Sequence, residues 1–328
     1  MIPPPTFADV EDAALRLQGH ARLTPLLRAD SLDEAAGGRV FVKAECLQRT
    51  GSFKFRGAYN RLCRLSAAER RAGVVAFSSG NHAQGVAAAA ALLGIPAAIV
   101  MPSDAPAVKL EATRQLGAEI VLHDRFTQSR EAIARDLAAA RGAVVVPSFD
   151  DADVIAGQGT VGLEAARQLQ AEDAVADVLI CPASGGGLMA GIALAFEAQS
   201  PTTALYVAEP EGFEDHRLSL EAGRPTPIRP QRASLCDALL ATRPGEITFA
   251  INRRRLAGAL CVSDDQALAA MAFTFRHLKI VLEPGGAVAL AAILYGRLAL
   301  DGRIALVVAS GGNVDVEVFE QALAASRP

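Results

Sequence analysis

The chain has 328 residues, 51% of them apolar, which is enough for a sizeable core in one large domain or two ordinary ones. Basic and acidic residues number 32 and 36, and the resulting net charge of −4 comes with no basic block of the kind that nucleic acids select. The five cysteines form no C-x-x-C pair, and the N-terminus has no secretory leader pattern, so we expect a cytoplasmic protein with reduced thiols. The longest apolar run, residues 86–101, is shorter than a bilayer span of roughly 20 residues, and no membrane insertion is predicted.

The first stretch with chemical potential is GSFKFRGAYN, residues 51–60, which places Lys54 between two phenylalanines and two residues before Arg56. Apolar and cationic neighbours lower the pKa of a lysine and make its amine a better nucleophile, one that forms a Schiff base with an aldehyde. The stretch by itself is equally compatible with a surface lysine whose stem lies along apolar side chains.

From residue 74 onward, short apolar or β-branched runs alternate with segments of helical period, a pattern typical of parallel α/β sheets. The first set of predicted elements comprises strands at 74–77, 97–101, 119–123 and 143–147 and helices near 82–93, 106–116 and 128–140. The second set comprises helices near 158–170 and 188–199 and strands at 177–181, 205–209 and 304–309. The turn-rich residues 148–159 are predicted to cross between two lobes, and residues 210–258 to form a surface excursion or an interface. Two such lobes place a ligand in the crevice between them, at the carboxyl ends of strands.

The loop SSGNHAQG, residues 78–85, directly follows the predicted strand at 74–77. Ser78, Ser79 and Asn81 are favoured at helix N-termini, and Gly80 permits a tight bend, so the first helical amides would face an anion. The alternative is an ordinary capped helix start. A serine hydrolase that uses Ser79 and His82 is disfavoured, because the chain has no G-x-S-x-G elbow.

The loop CPASGGGLMAG, residues 181–191, has three consecutive glycines between a predicted strand and a predicted helix. Such a backbone can approach a phosphate closely, and the helix dipole favours the negative charge. The same residues also satisfy the relaxed dinucleotide fingerprint, and Glu209 follows Ala190 by nineteen residues. A nicotinamide-dependent oxidoreductase therefore remains an alternative.

Two later loops complete the set of candidates. LEPGGAVAL, residues 282–290, starts a predicted helix with Pro284 in its first turn and Glu283 before it. ASGGNVD, residues 309–315, follows the last predicted strand and places the Ser310 hydroxyl where it could bond a ring nitrogen, although the sequence also suits a plain turn. An aldehyde cofactor with a phosphate and a pyridine ring, pyridoxal 5'-phosphate (PLP), would give Lys54, the glycine loop and Ser310 one common ligand.

Together, the motifs SFKFRGA, SSGNHAQG, SGGGLMAG, EPGGAVAL and SGGNVD, in this order, resemble the PLP-dependent serine/threonine dehydratase and serine racemase family of the tryptophan-synthase-β fold, fold type II. The resemblance covers about residues 20–320. It implies an α/β protein of two lobes, each a mostly parallel sheet flanked by helices, with PLP in the crevice between them. A large PLP-binding domain would comprise residues 1–70 and 149–328, and a small mobile domain residues 71–148. A homodimer is also implied.

The resemblance implies a role for each matching residue. Lys54 would carry the Schiff base, and the other cofactor contacts would be Phe53, Asn81, Gly185, Gly186, Gly187, Leu188, Glu283 and Ser310. The amino acid substrate would be bound by Ser78, Ser79, Gly80 and His82. A divalent cation, Mg²⁺ or Ca²⁺, would be held in the stretch EPEGFED by the Glu209 and Asp215 side chains and the Phe213 carbonyl, unless this stretch is only a solvated acidic loop.

The implied reaction is an α,β-elimination that converts L-threonine, L-serine or a related 3-hydroxy amino acid, such as 3-hydroxyaspartate, to a 2-oxo acid and ammonia. Lys54, once freed, would remove the Cα proton. Ser79 keeps an amino acid racemase with dehydratase side activity open, because racemases of the family have a serine at this position, opposite the lysine. Ser184 and Ala238 depart from common glycines of the family, which leaves the substrate preference undecided.

Overall fold

The computed structural model describes residues 3–78, 80–105, 107–124, 127–230 and 232–324. Its strands are β1 (Leu26–Leu27), β2 (Arg39–Ala44), β3 (Val74–Phe77), β4 (Ala97–Pro102), β5 (Glu119–His123), β6 (Val144–Val145), β7 (Val178–Pro182), β8 (Ala204–Pro210), β9 (Leu256–Val262) and β10 (Ile304–Ala309). Its first helices are α1 (Phe7–Leu17), α2 (Asp30–Ala36), α3 (Lys54–Cys63), α4 (Ala67–Ala72), α5 (Asn81–Leu93), α6 (Ala107–Gln115) and α7 (Arg130–Arg141). The later helices are α8 (Ala152–Ala171), α9 (Gly187–Gln199), α10 (Asp215–Ala222), α11 (Glu246–Arg255), α12 (Asp264–His277), α13 (Pro284–Leu294) and α14 (Val316–Ala324).

The larger sheet has six strands in the order β1-β2-β10-β7-β8-β9, and all neighbouring pairs except β1–β2 are parallel. Its central strands β7 and β10 are continuous apolar runs, buried almost throughout, as parallel strands covered by helices on both faces must be. Helix α13 packs against this sheet with nearly every residue buried, which explains why it has no polar face. This part of the chain holds the main core.

The smaller sheet has four parallel strands in the order β5-β4-β3-β6, all from residues 74–145. Helices α3 and α5 pack against each other, and α3 also packs on α8, so the lysine-bearing helix lies between the two sheets. The predicted fold class, two lobes of mostly parallel sheet flanked by helices, is confirmed. The division into a large domain and a small mobile domain stays a prediction.

Helix α8 begins earlier than predicted and shortens the crossing between the sheets. The Asp151 carboxylate accepts hydrogen bonds from the amides of Asp153 and Val154 and so caps the helix at Ala152. The glycines that suggested a turn serve helix packing instead. A Cβ at Gly159 would lie only 2.8 Å from the Gly191 carbonyl oxygen of α9.

Two other sequence predictions differ from the structure. Residues 210–258 are not a surface excursion, because they contain α10, α11 and the first residues of β9, the edge strand of the larger sheet. The strand predicted at 143–147 is reduced to the two residues of β6. The elements before residue 74 had no clear pattern and were not predicted. Across the described part of the chain, every helix is too short or too polar to cross a membrane.

Candidate active site

A cavity of about 710 Å³ lies where the carboxyl ends of β3, β7 and β10 meet the N-termini of α3, α5, α9 and α13. Its wall includes every described candidate for cofactor or substrate binding: Phe53, Lys54, Ser78, Gly80, Asn81, His82, Gly185, Gly186, Gly187, Leu188, Glu283 and Ser310. Ser79, the remaining candidate, lies outside the described residues. The motifs are thus brought together, while the role of each residue stays a prediction.

The lysine motif and the last glycine motif lie side by side, although more than 250 residues separate them. The amide of Phe53 donates to the Ser310 carbonyl at 3.1 Å, and the amide of Gly312 donates to the Gly51 carbonyl at 2.9 Å. This pairing fixes the start of α3 against the end of β10. Lys54 and the Ser310 hydroxyl consequently face the same cavity.

The Lys54 amine is poised for chemistry near neutral pH. Burial lowers its pKa to about 8, and the nearby Glu283 carboxylate partly opposes this effect. Nζ donates a hydrogen bond to the Ser148 carbonyl at 2.9 Å and lies 5.2 Å from the centre of the Phe53 ring. The groups that hold the amine in place, a backbone carbonyl and an aromatic ring, therefore carry no negative charge.

Arg56 does not create the cationic setting that the sequence suggested. Its guanidinium forms two-pronged ion pairs with Glu45 and Glu164, with N–O distances of 2.7–2.8 Å. Burial alone would lower the pKa of Arg56, but the two carboxylates outweigh this effect and raise it. The contacts of Arg56 tie α3 to α8 and to the residues after β2. Arg56 thus fixes the helix that carries Lys54, while desolvation rather than a neighbouring cation lowers the pKa of Lys54.

The glycine loop presents its amides to the cavity because its carbonyls are bound elsewhere. The Gly185 carbonyl accepts from the Thr248 hydroxyl at 2.6 Å and the Gly186 carbonyl from Asn252 at 3.3 Å, both on α11. Gly186 has φ +92°, and a Cβ at Gly185 would lie 2.3 Å from the Phe149 ring. Since α9 begins at Gly187, its unpaired first amides and its dipole fit a phosphate group.

The N-terminus of α5 lies at the same cavity and is a second candidate anion-binding position. Its cap residue Gly80 donates its amide to the Ser78 hydroxyl at 3.2 Å. The His82 Nε2 atom contacts the Val146 carbonyl at 2.9 Å, and burial together with the Lys54 charge lowers its pKa to about 3. The ring is uncharged near neutral pH, so any attraction for a substrate carboxylate comes from the helix amides rather than from a histidine cation.

Asn81 is already oriented by two partners. Its Nδ2 donates to Glu283 at 2.6 Å, and its Oδ1 accepts from Asn313 at 2.7 Å. A second N–H of the amide remains for a ring substituent. Asn313 belongs to the SGGNVD motif, but the sequence gave no reason to assign it a contact.

The predicted cation residues Glu209 and Asp215 lie together and are fully buried. Their carboxylate oxygens and an imidazole nitrogen of His216 lie within 4.8 Å of one another. Burial raises the pKa of Asp215 to about 7 and the pKa of Glu209 well above its usual range. Both Glu209 oxygens accept backbone amides, and the Phe213 carbonyl accepts the Asp215 amide at 2.9 Å. The Asp215 Oδ2 atom is buried and accepts no N–H or hydroxyl donor of the described residues, and the Asp215 carboxyl group contacts that of Glu209. The carboxylate oxygens fit a divalent cation, and the sequence did not suggest that an imidazole lies beside them.

Several residues of the cavity were missed by the sequence analysis. Ser148, Phe149 and Asp150 come from the crossing segment, and Arg130 and Arg243 lie at the N-terminus of α7 and just before α11. The crossing was recognisable only as a turn-rich stretch. An isolated arginine in a sequence does not indicate whether its side chain lies at a binding site.

The comparisons with known proteins agree with this geometry. Residues 17–311 match the family model described as "Pyridoxal-phosphate dependent enzyme". An L-threo-3-hydroxyaspartate ammonia-lyase of Pseudomonas sp is 45% identical, over 97% of this chain and 98% of that protein. An L-threonine ammonia-lyase of Thermotoga maritima is 38% identical, over 96% of this chain and 77% of that protein. The structure of maize serine racemase superposes with a TM-score of 0.92 at 35% identity, over 98% of this chain and 97% of the racemase.

A PLP site between two parallel sheets and a family match over most of the chain define the class of protein: a fold type II PLP enzyme. The chain belongs to the pyridoxal-phosphate dependent enzyme family, and its relatives there are ammonia-lyases and serine racemases. PLP is therefore its cofactor, and the nicotinamide alternative raised by the glycine loop is set aside.

Proposed function

We propose that this chain is a PLP-dependent ammonia-lyase whose preferred substrate is L-threo-3-hydroxyaspartate, converted to a 2-oxo acid and ammonia. The observation that carries the proposal is the 45% identity, over nearly the full length of both chains, to an ammonia-lyase of that name. L-threonine and L-serine are the competing substrates. They differ from hydroxyaspartate in lacking a second carboxylate, so the side of the cavity that meets the substrate side chain decides between them.

Two arginines at the cavity support a substrate with a second carboxylate. Arg130 pairs with Glu131 at 3.0 Å, and Arg243 pairs with Glu246. All four side chains are about half exposed, so these ion pairs are weak and a substrate carboxylate can replace the glutamates. A guanidinium binds a carboxylate through two parallel hydrogen bonds, which suits recognition of a dicarboxylic amino acid.

The chain's own residues account for the steps of an elimination. The α5 amides and Ser78 bind the α-carboxylate, and the amides of Gly185, Gly186 and Gly187 bind the cofactor phosphate. Lys54 takes the Cα proton, because a pKa of about 8 leaves part of its population uncharged near neutral pH. PLP supplies an electron sink for the charge that this proton leaves behind.

A comparison of kcat/KM among the three candidate substrates tests the proposal. The kcat/KM of the purified holoenzyme for L-threo-3-hydroxyaspartate is expected to exceed the values for L-threonine and L-serine by at least about tenfold, which corresponds to ~1.4 kcal/mol. Arg130→Met and Arg243→Met should each reduce the value for hydroxyaspartate by about 10- to 100-fold and leave the value for L-serine nearly unchanged. Arg135→Met, an exposed arginine on the same helix α7, is the matched control. An equal or higher kcat/KM for L-threonine would reject the assignment.

Racemisation is a second candidate, since the maize serine racemase structure superposes over nearly the whole chain. On the family resemblance, Ser79 is the proposed second proton donor. D-amino acid and 2-oxo acid formation should be followed together in the wild type and in Ser79→Ala. Loss of the D-enantiomer in the variant, with retained 2-oxo acid formation, is expected if Ser79 serves racemisation. A wild type that forms no D-enantiomer has no racemase function.

Three further parts belong to the proposal. A homodimer and a small domain of residues 71–148 that moves against the rest come from the family resemblance, and a cytoplasmic location comes from the cysteine pattern and the N-terminal sequence. Sedimentation of the holoenzyme tests the first, and fractionation of the source cells tests the second. For the third, hydrogen exchange of residues 71–148 should become slower when substrate binds. Unchanged exchange throughout this segment would argue against a mobile domain.

A further inference from the structure

A buried polar chain connects the acidic cluster of Glu209 and Asp215 to the glycine loop. His216 and Asn252, both fully buried, lie between them. The Asn252 amide contacts the His216 Nε2 atom at 3.2 Å and the Gly186 carbonyl at 3.3 Å. On its other side, the imidazole Nδ1 lies 3.4 Å from Asp215 and 3.8 Å from Glu209. One imidazole ring and one amide therefore span the distance from the two carboxylates to the glycine loop.

The direction of the hydrogen bonds is consistent along this chain. The Asn252 Nδ2 group donates to both of its partners, so the His216 Nε2 atom must accept. In the neutral imidazole the proton is then on Nδ1, the atom that faces the two carboxylates. Displacement of the carboxylates would consequently change the position of the imidazole, of the Asn252 amide and of the carbonyl it holds.

Close packing of His216 and Asn252 beneath the glycine loop leaves no space for a side chain at Gly186. A Cβ on Gly186 would lie 2.6 Å from the His216 Nε2 atom and 2.9 Å from the Asn252 Nδ2 atom. Only glycine, with its φ of +92°, fits between the cavity and these two side chains. The same peptide thus faces the cofactor phosphate on one side and the polar chain on the other.

The polar chain is incomplete at two atoms. The Asp215 Oδ2 and Asn252 Oδ1 atoms are buried and accept no N–H or hydroxyl donor of the described residues, and the only carboxyl contact there is that of Asp215 with Glu209. Buried polar atoms are normally satisfied, and an orphaned carboxylate oxygen in an acidic cluster points to a cation as the absent partner.

We propose that a divalent cation at Glu209 and Asp215 and the cofactor phosphate at Gly185–Gly187 bind with positive cooperativity, transmitted by His216 and Asn252. The proposal requires the PLP site and the cation site but no particular substrate. It is therefore independent of the choice between hydroxyaspartate, threonine and serine. By linkage, each ligand increases the affinity for the other by the same factor.

Equilibrium dialysis of the holoenzyme against graded PLP concentrations tests the coupling in the wild type. The Kd for PLP is measured in EDTA and again in saturating Mn²⁺, and binding of Mn²⁺ to the holoenzyme is measured separately by electron paramagnetic resonance. Mn²⁺ is expected to lower the Kd at least about fivefold. An unchanged Kd with Mn²⁺ bound would overturn the proposal, and so would a holoenzyme that binds no Mn²⁺.

Two variants test the route. Asn252→Ala should still bind Mn²⁺, but the factor by which Mn²⁺ lowers the Kd for PLP should fall close to one. His216→Phe should have the same effect, because it keeps an aromatic ring and loses both nitrogens. Glu221→Gln, an exposed position on the same helix α10, should retain the wild-type factor. Full coupling in Asn252→Ala would refute this route, and if a variant fails to fold, the wild-type dialysis still decides whether the coupling exists.

Discussion

Lys54 offers the sharpest test of the site, because its amine must be uncharged before it can take a proton. With a pKa of about 8, roughly 10% of the amine is neutral at pH 7, whereas an ordinary lysine of pKa 10.5 would be neutral in only about 0.03% of molecules. The shift thus increases the active population about 300-fold at neutral pH. The kcat of the holoenzyme should accordingly rise with pH and level off above a midpoint near 8.

The variant Glu283→Gln tests whether the pKa of Lys54 sets the pH profile of kcat. The Glu283 charge raises the pKa of Lys54, so its removal should move the midpoint of the kcat profile below 8, toward lower pH. Glutamine retains an oxygen that can accept the hydrogen bond from Asn81. Glu131→Gln, another acid of the cavity wall, should leave the midpoint unchanged. A kcat that is constant from pH 6.5 to 9.5, or a midpoint that moves upward in Glu283→Gln, would refute the reasoning.

Further substitutions test the supporting structure. Gly186→Ala combines a φ of +92° with a Cβ 2.6 Å from His216, so the Kd for PLP in equilibrium dialysis should rise by at least about tenfold. Arg56→Met leaves Glu45 and Glu164 without their buried partner, and urea unfolding of the holoenzyme should show a loss of about 3–5 kcal/mol. Asp151→Ala removes the cap of α8 and should cost about 1 kcal/mol in the same assay, with little change in PLP affinity.

The sequence was sufficient where one local pattern decides the structure. The strands at 74–77, 119–123 and 304–309 have the predicted bounds, since an apolar run flanked by turn residues has few other solutions in a parallel sheet. The glycine loop was recognisable for the same reason, because three consecutive glycines serve few purposes besides close approach of a ligand. The predicted family and cofactor are confirmed by the family match.

Local patterns failed where a residue depends on distant partners. Arg56 follows Lys54 by two residues, yet its charge is used by Glu164, more than a hundred residues away, and does not act on the lysine. The sequence analysis made no prediction for His216, and only its contact with Asn252 relates it to the glycine loop. Such pairings follow from the way α8, α10 and α11 pack, which composition and periodicity do not specify.

The connection between the two sheets, here residues 146–150, also makes contacts that no local sequence pattern indicates. The Val146 carbonyl holds His82, the Ser148 carbonyl holds Lys54, and the Asp150 carboxylate caps α11 by accepting three of its first amides. Three alternate residues of one connection thus contact the Lys54 amine, the α5 N-terminus and α11, the helix that binds the glycine loop. Two of these contacts use backbone carbonyls, which every residue possesses, so no choice of side chain could have marked the segment. Because this connection also joins the two sheets, a movement of one sheet against the other would change the hydrogen bond between Lys54 and the Ser148 carbonyl.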